Sequence, residues 1–481
     1  MMRMVIVMKN IKKKEYLLYL IILILFIVLS TMISFKHEYW ADEAFAWLIA
    51  RDASIIDIFK TEAALSGHPI LFFLIIKSFQ ILGLTYKYFH IISILFSTLG
   101  VALFLWKSDF KWYIKCLIPF TFFIFYQFTI VTRGYCLILF LLSLLAIIWN
   151  KKEEHYYLFI LILIALLSLE SYTFLIAGSI FLLEIINFIK KYKKIENKKK
   201  YFISFTILFL SFLLTTIYMF PRSNNIEGVG KMFKALSLDD AFLYSSSMPT
   251  IFKFIFLFLI IITIVVIYLK QNKKRELLET SIIFIPAYIF FEFFYNNYWH
   301  SGIFFLLFIF LSWIHNINKD KLFNYFMLLT CVVQIFWSVK SSINDYKNVY
   351  SPTEEISEYI KQYDYDNLVI YGQNYITVAI NPYFNHNIFD LWYNDYSFYY
   401  FGKENPNNLF SYETKDILEK NPDIFIAAYH EGQKEIEKGH DKYKELEKNY
   451  TMKKFTGNAF FKDTTIKDFE YDVYIKKEIA K

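Results

Sequence analysis

The chain is cut into apolar blocks close to twenty residues long, and that spacing leaves few folds open to it. Residues 16–35, 201–220, 250–269 and 322–340 are such blocks, with lysine-rich polar segments between them. A helix rises ~1.5 Å per residue and the hydrocarbon core of a bilayer is ~30 Å thick, so one crossing takes roughly 20 apolar residues. Lipid offers no partner to a bare N–H or C=O, so blocks of this kind must be helices that satisfy their own backbone. Composition agrees: 56% of residues are hydrophobic and 21% aromatic, above the usual share for a water-soluble domain.

The spans read from the sequence are 16–35, 88–106, 114–131, 135–149, 156–170, 173–189, 201–220, 250–269, 280–296, 301–315 and 322–340. Residues 69–83 are the ambiguous segment, short for a crossing and interrupted by Lys77 and Gln80. Lysine distribution decides between the two drawings. If 69–83 lies at the interface, Lys190, Lys191, Lys193, Lys194, Lys198, Lys199 and Lys200 share one cytoplasmic loop, as the positive-inside bias requires. If it crosses, they fall outside. The first drawing gives eleven spans, a cytoplasmic N-terminus and an outer C-terminus. The basic run Lys12-Lys13-Lys14 precedes an apolar block too long for a signal-peptide core, with no small-residue cleavage site after it, so the first helix reads as uncleaved.

Past residue 341 the apolar runs shorten and Asp, Glu, Lys and Asn rise. Ser351-Pro352-Thr353-Glu354 has capping-box spacing with proline at the first helical position, which predicts a helix over 352–363. Strands are expected at 368–371, 376–380 and 424–428, the last after a helix ending near Asn421-Pro422. The fold class is therefore a polytopic α-helical membrane protein of about eleven transmembrane helices over 1–340. A small extracytoplasmic α/β domain over 341–481 follows it.

The net charge of +7 sits mostly in the short loops that set topology, so it is not a nucleic-acid footprint. Cys116, Cys136 and Cys331 all fall in or beside spans and none forms a CxxC, which predicts neither a disulfide framework nor a redox motif.

With this topology, ionisable residues gather at the outer ends of the spans. The first outer loop carries His37, Glu38, Asp42, Glu43 and then Gly67-His68-Pro69. Later turns carry Thr132-Arg133-Gly134-Tyr135, Glu170-Ser171-Tyr172 and Tyr298-Trp299-His300-Ser301-Gly302. Ionisable groups at membrane depth are costly and tend to mark a functional cavity. Each alone has a plainer reading. Asp42 and Glu43 also suit a solvated loop or an acidic first turn for a helix over 43–51. Arg133 also suits a side chain snorkelling to headgroups, His68 a turn before proline, and His300 an interfacial histidine. The force lies in the set.

The string Tyr39-Trp40-Ala41-Asp42-Glu43-Ala44-Phe45-Ala46-Trp47, followed by Gly67-His68-Pro69, resembles the first outer loop of the GT-C membrane glycosyltransferases. The nearest branch is that of the protein O-mannosyltransferases and aminoarabinose transferases. That family places an Asp, usually followed by Glu, after its first helix, then a His-Pro or Lys-Pro element leading into a juxtamembrane helix. Arg133 and Tyr135 match its Arg-x-Tyr element at the fourth helix. The resemblance covers 16–190 well and 280–315 loosely.

It implies a donor sugar on a polyprenyl phosphate, with a glycan, lipid or protein hydroxyl as acceptor and membrane lipids as surroundings, in the cell membrane. It further implies Asp42 as general base, Glu43 beside it in the catalytic pair, positioning the acceptor or supporting the adjacent helix, and Arg133 with His300 at the donor phosphate. His68 would line the sugar or acceptor side, with Tyr135 and Glu170 completing the substrate-binding set. The third outer turn departs from many relatives in carrying Glu170-Ser171-Tyr172. The second acidic metal site of oligosaccharyltransferases is replaced by Arg133. That replacement argues against a built-in divalent metal, although Asp42, Glu43 and Glu170 could still gather one, and no other cofactor is implied. The rival reading from another class is a membrane transporter or flippase of lipid-linked sugars. Charges there would be expected near the midplane or in repeated halves. A polysaccharide polymerase would be expected to carry large arginine-rich outer loops.

Overall fold

A computed structural model of the chain describes residues 2–60, 68–195, 197–219, 241–242, 249–294, 300–373, 375–391, 396, 413–429, 433–461 and 465–480. Helix α1 (Met2–Ser34) leads into α2 (Ala41–Asp52), α3 (Ile55–Lys60) and α4 (Leu71–Ile81). Next come α5 (His90–Lys107), α6 (Trp112–Leu117) and a π-helix over Phe122–Ile130. The bundle continues with α7 (Cys136–Ile148), α8 (Tyr156–Leu167), α9 (Ser171–Lys191) and α10 (Lys198–Met219). Its last helices are α11 (Thr250–Lys270), α12 (Lys274–Phe294), α13 (Gly302–Ile314) and α14 (Lys321–Lys347).

Seven helical stretches among the described residues are long and apolar enough to cross a membrane: Lys14–Ser34, Tyr86–Lys107, Trp112–Ile130, Ser171–Lys191, Lys198–Met219, Ile251–Lys270 and Lys321–Lys347. Leu71–Ile81, Cys136–Lys151, Tyr156–Leu167 and Gly302–Ile314 are apolar but shorter. Burial separates two kinds of helix. Every residue of α13 is buried, as expected of a helix apolar all round. Helices α1, α10 and α11 instead leave Leu17, Ile21, Phe209, Leu214, Ile251 and Phe258 about half exposed. A continuous apolar exterior of that kind suits lipid and would be unusual in water. Cys116, Cys136 and Cys331 are free.

The segment 69–83 becomes α4, and its two polar residues explain themselves. Lys77 Nζ donates to Ala50 O at 2.9 Å and Ala53 O at 2.7 Å, and Gln80 Nε2 donates to Trp47 O at 3.1 Å. These carbonyls sit at and just beyond the C-terminal end of α2, where a cation satisfies unpaired acceptors and suits the helix dipole. Phe72, Phe73 and Ile76 are buried on the same helix.

Beyond α14 the chain forms a sheet with cores of its own. Helix α15 (Thr353–Ile360) precedes β1 (Ile370–Gln373) and β2 (Phe389–Asp390). Then come α16 (Thr414–Lys420), β3 (Ile424–Tyr429), α17 (Gln433–Tyr443), β4 (Tyr450–Phe461) and β5 (Thr465–Lys476). The strand order is β2-β1-β3-β5-β4. Strand β1 pairs parallel with both β2 and β3, while β5 runs antiparallel to β3 and to β4. Asn421, at the end of α16, takes the left-handed conformation, with φ 49°, a common way to end a helix.

One expected strand is corrected. Residues 376–380 lie in a 3₁₀ helix over Tyr375–Tyr383. Ile376 and Ile380 pack into the core of the sheet, whereas Val378 and Ala379 pack into the core of the bundle. A short apolar run cannot be told from a buried helical turn by periodicity alone.

That 3₁₀ helix seats the sheet on α2. Arg51, in the last turn of α2, donates to Asn381 O at 3.2 Å, Phe384 O at 3.4 Å and Asn387 Oδ1 at 2.5 Å. Asn387 Nδ2 in turn donates to Asp52 Oδ2 at 3.0 Å. Rings of Tyr86 and Tyr383 meet edge to face with centroids 5.0 Å apart. Nearer the other end of α2, Thr353 Oγ1 donates to Tyr39 O at 3.4 Å.

Candidate functional site

Helix α2 begins at the end of the first apolar block and presents its acidic first turn to two different surroundings. Trp40 is its N-cap, and Glu43 reaches back to accept from Trp40 N at 3.2 Å. This is the second half of a capping box, and carboxylates are favourable at that end of a helix dipole. Successive residues point about 100° apart, so Asp42 and Glu43 cannot face the same way. Glu43 turns into the interior, fully buried, and Asp42 turns outward, its side chain 39% exposed.

Asp42 starts a chain of four charged and polar side chains. Arg133 Nη1 lies 3.1 Å from Asp42 Oδ2, and Arg133 Nη2 donates to His68 Nε2 at 2.7 Å. His68 Nδ1 is 2.7 Å from Glu170 Oε2. A guanidinium only donates, so His68 Nε2 is the acceptor and the ring proton sits on Nδ1, facing Glu170. Asp42 is the most exposed member of this chain, at 39%, and Glu170 the least, at 3%, with Arg133 at 10% and His68 at 16% between them. Asp42 and Arg133 therefore stand at the exposed end of the chain, with His68 and Glu170 behind them.

The turn holding Arg133 depends on what precedes and follows it. The π-helix before it is buried along its whole length, and Thr129 Oγ1 bonds to Ile124 O at 2.6 Å. Such wide turns are rare and are often found at functional sites. Gly134 follows Arg133. A Cβ there would lie 2.6 Å from Glu170 Oε1, so any side chain at this position would press that carboxylate out of its place. Glu170 is itself fixed as the N-cap of α9, where its backbone N–H donates to Thr173 Oγ1 at 3.0 Å.

Beside the charged chain lies an aromatic wall. Tyr135 and Tyr172 flank His300, with ring centroids 5.7 Å and 5.2 Å from it, and Phe291 adds a third face at 6.2 Å. His300 is buried at the start of the segment leading into α13.

The structure thus joins Asp42, His68, Arg133 and Glu170 directly, and sets Tyr135 and His300 together in the neighbouring wall. Glu43, expected either in the catalytic pair or in support of the adjacent helix, faces a different set of partners. It accepts from Thr132 N at 2.7 Å through Oε1, and its Oε2 lies 3.1 Å from His37 Nε2. Both of its oxygens are engaged inside the protein. Gly67, Tyr298 and Trp299 lie outside the described residues.

A second network was missed by sequence reasoning. His37 Nδ1 lies 2.8 Å from Asp345 Oδ2, near the end of α14, and Tyr126 of the π-helix donates to both Asp345 oxygens at 3.0 Å. His37, Glu43 and Asp345 side chains are all fully buried. Burial alone would depress the His37 imidazole, but Glu43 and Asp345 outweigh it and hold its pKa at about 10. Neighbouring Glu38 goes the other way. Burial, reinforced by Glu354, Glu355 and Glu358, pushes its pKa up to about 8 although His37 opposes the rise.

Among the described residues no group of three His, Cys, Asp or Glu side chains is gathered as metal ligands are. Arg133 and His68 stand between Asp42 and Glu170 in the chain of contacts. The protein matches no protein-family model, no curated protein and no solved structure.

Proposed function

We propose that the protein is a membrane glycosyltransferase. It moves a sugar from a polyprenyl-phosphate donor to an acceptor hydroxyl at the outer face of the cell membrane. The observation that carries this reading is the Asp42–Arg133 pair at the opening of the site, 3.1 Å apart. It offers a carboxylate and a guanidinium side by side, and the reaction uses one of each.

The acceptor hydroxyl gives its proton to Asp42 as its oxygen attacks the anomeric carbon. The bond from that carbon to the phosphate oxygen breaks, and its electron pair leaves with the polyprenyl phosphate. Arg133 stabilises the charge that develops there. A single displacement of this kind inverts the anomeric centre. His68 orients Arg133, and Glu170 holds the tautomer of His68. Tyr135, Tyr172 and His300 form a buried aromatic cluster, its tyrosines close in sequence to Arg133 and Glu170, that backs the site. The donor's lipid tail would remain among the helices. The eleven-span drawing, with a cytoplasmic N-terminus and the sheet outside, is part of the same reading and sets α2 and Arg133 on the outer side.

The test is mass spectrometry of envelope glycans and glycoproteins from cells with the protein, without it, and with Asp42→Asn. A hexose- or pentose-sized mass lost in both altered strains is the expected result. An unchanged profile in the deletion strain removes the reading.

A further inference from the structure

We infer that His37 is the positioning residue of this site: bridging Glu43 and Asp345, it locks the first turn of α2 to the last helix of the bundle. The inference rests on the glycosyltransferase reading for its functional arm only.

The bridge joins elements far apart in sequence. His37 lies between α1 and α2, Glu43 is one residue from Asp42, and Asp345 is two residues from the end of α14, where the chain departs toward the sheet. Each member is bonded on more than one side. Glu43 also accepts from Trp40 N and Thr132 N, and Thr132 is the residue before Arg133. Asp345 also accepts from Tyr126. One buried unit therefore fixes both Asp42 and Arg133 through their immediate chain neighbours. A charge buried this deeply is tolerated only when paired and hydrogen-bonded, and removing one partner leaves the other uncompensated.

The groups facing His37 are Glu43 from α2, Asp345 from α14 and Tyr126 from the π-helix. The Tyr350 ring is 4.5 Å away, and Glu38 and His90 are within electrostatic reach. The two carboxylates dominate, so the imidazole keeps its proton at neutral pH. Its folded value lies above 6.5, so the stability it adds is full below that pH. That contribution fades as pH rises toward about 10. Removing the Asp345 charge lowers this ceiling.

The experiment uses the full chain in lipid nanodiscs, as wild type, Asp345→Asn and the milder Tyr126→Phe. Imidazole ¹⁵N resonances are assigned to His37 by their loss in His37→Gln. In the wild type they should stay in the protonated form at pH 8.5, and in Asp345→Asn they should titrate at least one pH unit lower. In parallel, cleavage of polyprenyl-phosphate mannose and polyprenyl-phosphate glucose is followed against pH. Asp345→Asn should lower kcat by up to ~10²-fold with donor KM little changed, and should move the alkaline fall of activity to lower pH. Tyr126→Phe, which keeps both carboxylates, should lower kcat more weakly without moving the alkaline fall to lower pH. A His37 that titrates below pH 7 in the wild type overturns the proposal, as does an alkaline limb that none of the variants moves. If neither donor nor any other polyprenyl-phosphate sugar is cleaved by the wild type, the glycosyltransferase reading falls and the resonances alone decide the bridge.

Discussion

Arg133 Nη1 lies 3.1 Å from Asp42 Oδ2, and Nη2 of the same guanidinium donates to His68 Nε2 at 2.7 Å. One planar group is thus held by a half-open carboxylate on one side and a shielded imidazole on the other. The arrangement predicts distinct losses when either end of the pair is changed. Asp42→Asn keeps shape and volume while removing the base, so it should lower transfer by about 10²–10⁴-fold without changing expression or thermal stability. Arg133→Ala should act chiefly on donor engagement, raising the donor KM. Steady-state kinetics on purified variants separates the two.

Gly134→Ala should damage the same site from behind. The new methyl would stand 2.6 Å from Glu170 Oε1 and 3.4 Å from Phe72 Cβ, forcing the carboxylate away from His68. Overpacking of this sort costs about 1–3 kcal/mol. A lowered midpoint of thermal unfolding, together with weakened donor binding, is the expected outcome; a fully stable and active variant would show that the turn relaxes freely.

Glu38 should make the protein more stable in mild acid than in mild base. Its folded value is raised from 4.5 to about 8, so the folded state holds a proton that the unfolded state releases. Stability then declines as pH climbs from 4.5 through about 8. Glu38→Gln removes this part of the slope. Unfolding midpoints taken at intervals from pH 4.5 to 9 should flatten in the variant.

Arg51 should matter to the seating of the sheet more than to chemistry. Its bonds to Asn381 O, Phe384 O and Asn387 Oδ1 go when it becomes alanine. Hydrogen exchange should rise over 375–387 and leave the π-helix protected. If the sheet bears on acceptor choice, acceptor KM rises while donor KM stays.

Topology has its own check. A cysteine near His68 should react with a membrane-impermeant maleimide from outside the cell, and one within 190–200 should not. The reverse pattern would turn the bundle over.

Asp42, His68, Arg133 and Glu170 were legible in the sequence because each breaks the apolar pattern at the end of a block, where a charged side chain is unexpected. The partnership of His37 with Asp345 was not, because 308 positions separate them and Asp345 reads as the polar tail of a span. The π-helix was equally hidden: 122–130 is mostly apolar and buried along its whole length, so no periodicity betrays its wider turn. The hairpin of β4 and β5 escaped because its lysines, aspartates and glutamates mask the alternation a half-buried strand would show. Residues 376–380 misled in the opposite sense, since β-branched residues that suit a strand serve here to fill two cores at once.

The ion pair at the opening also imposes a sequence in time. While Asp42 and Arg133 hold each other, one oxygen of the base is engaged by the guanidinium. On the proposed reading, the donor's phosphate is the competitor able to draw Arg133 away, and its arrival is what releases Asp42. The two substrates would then come in a fixed queue, donor before acceptor, and the empty protein would be idle by construction.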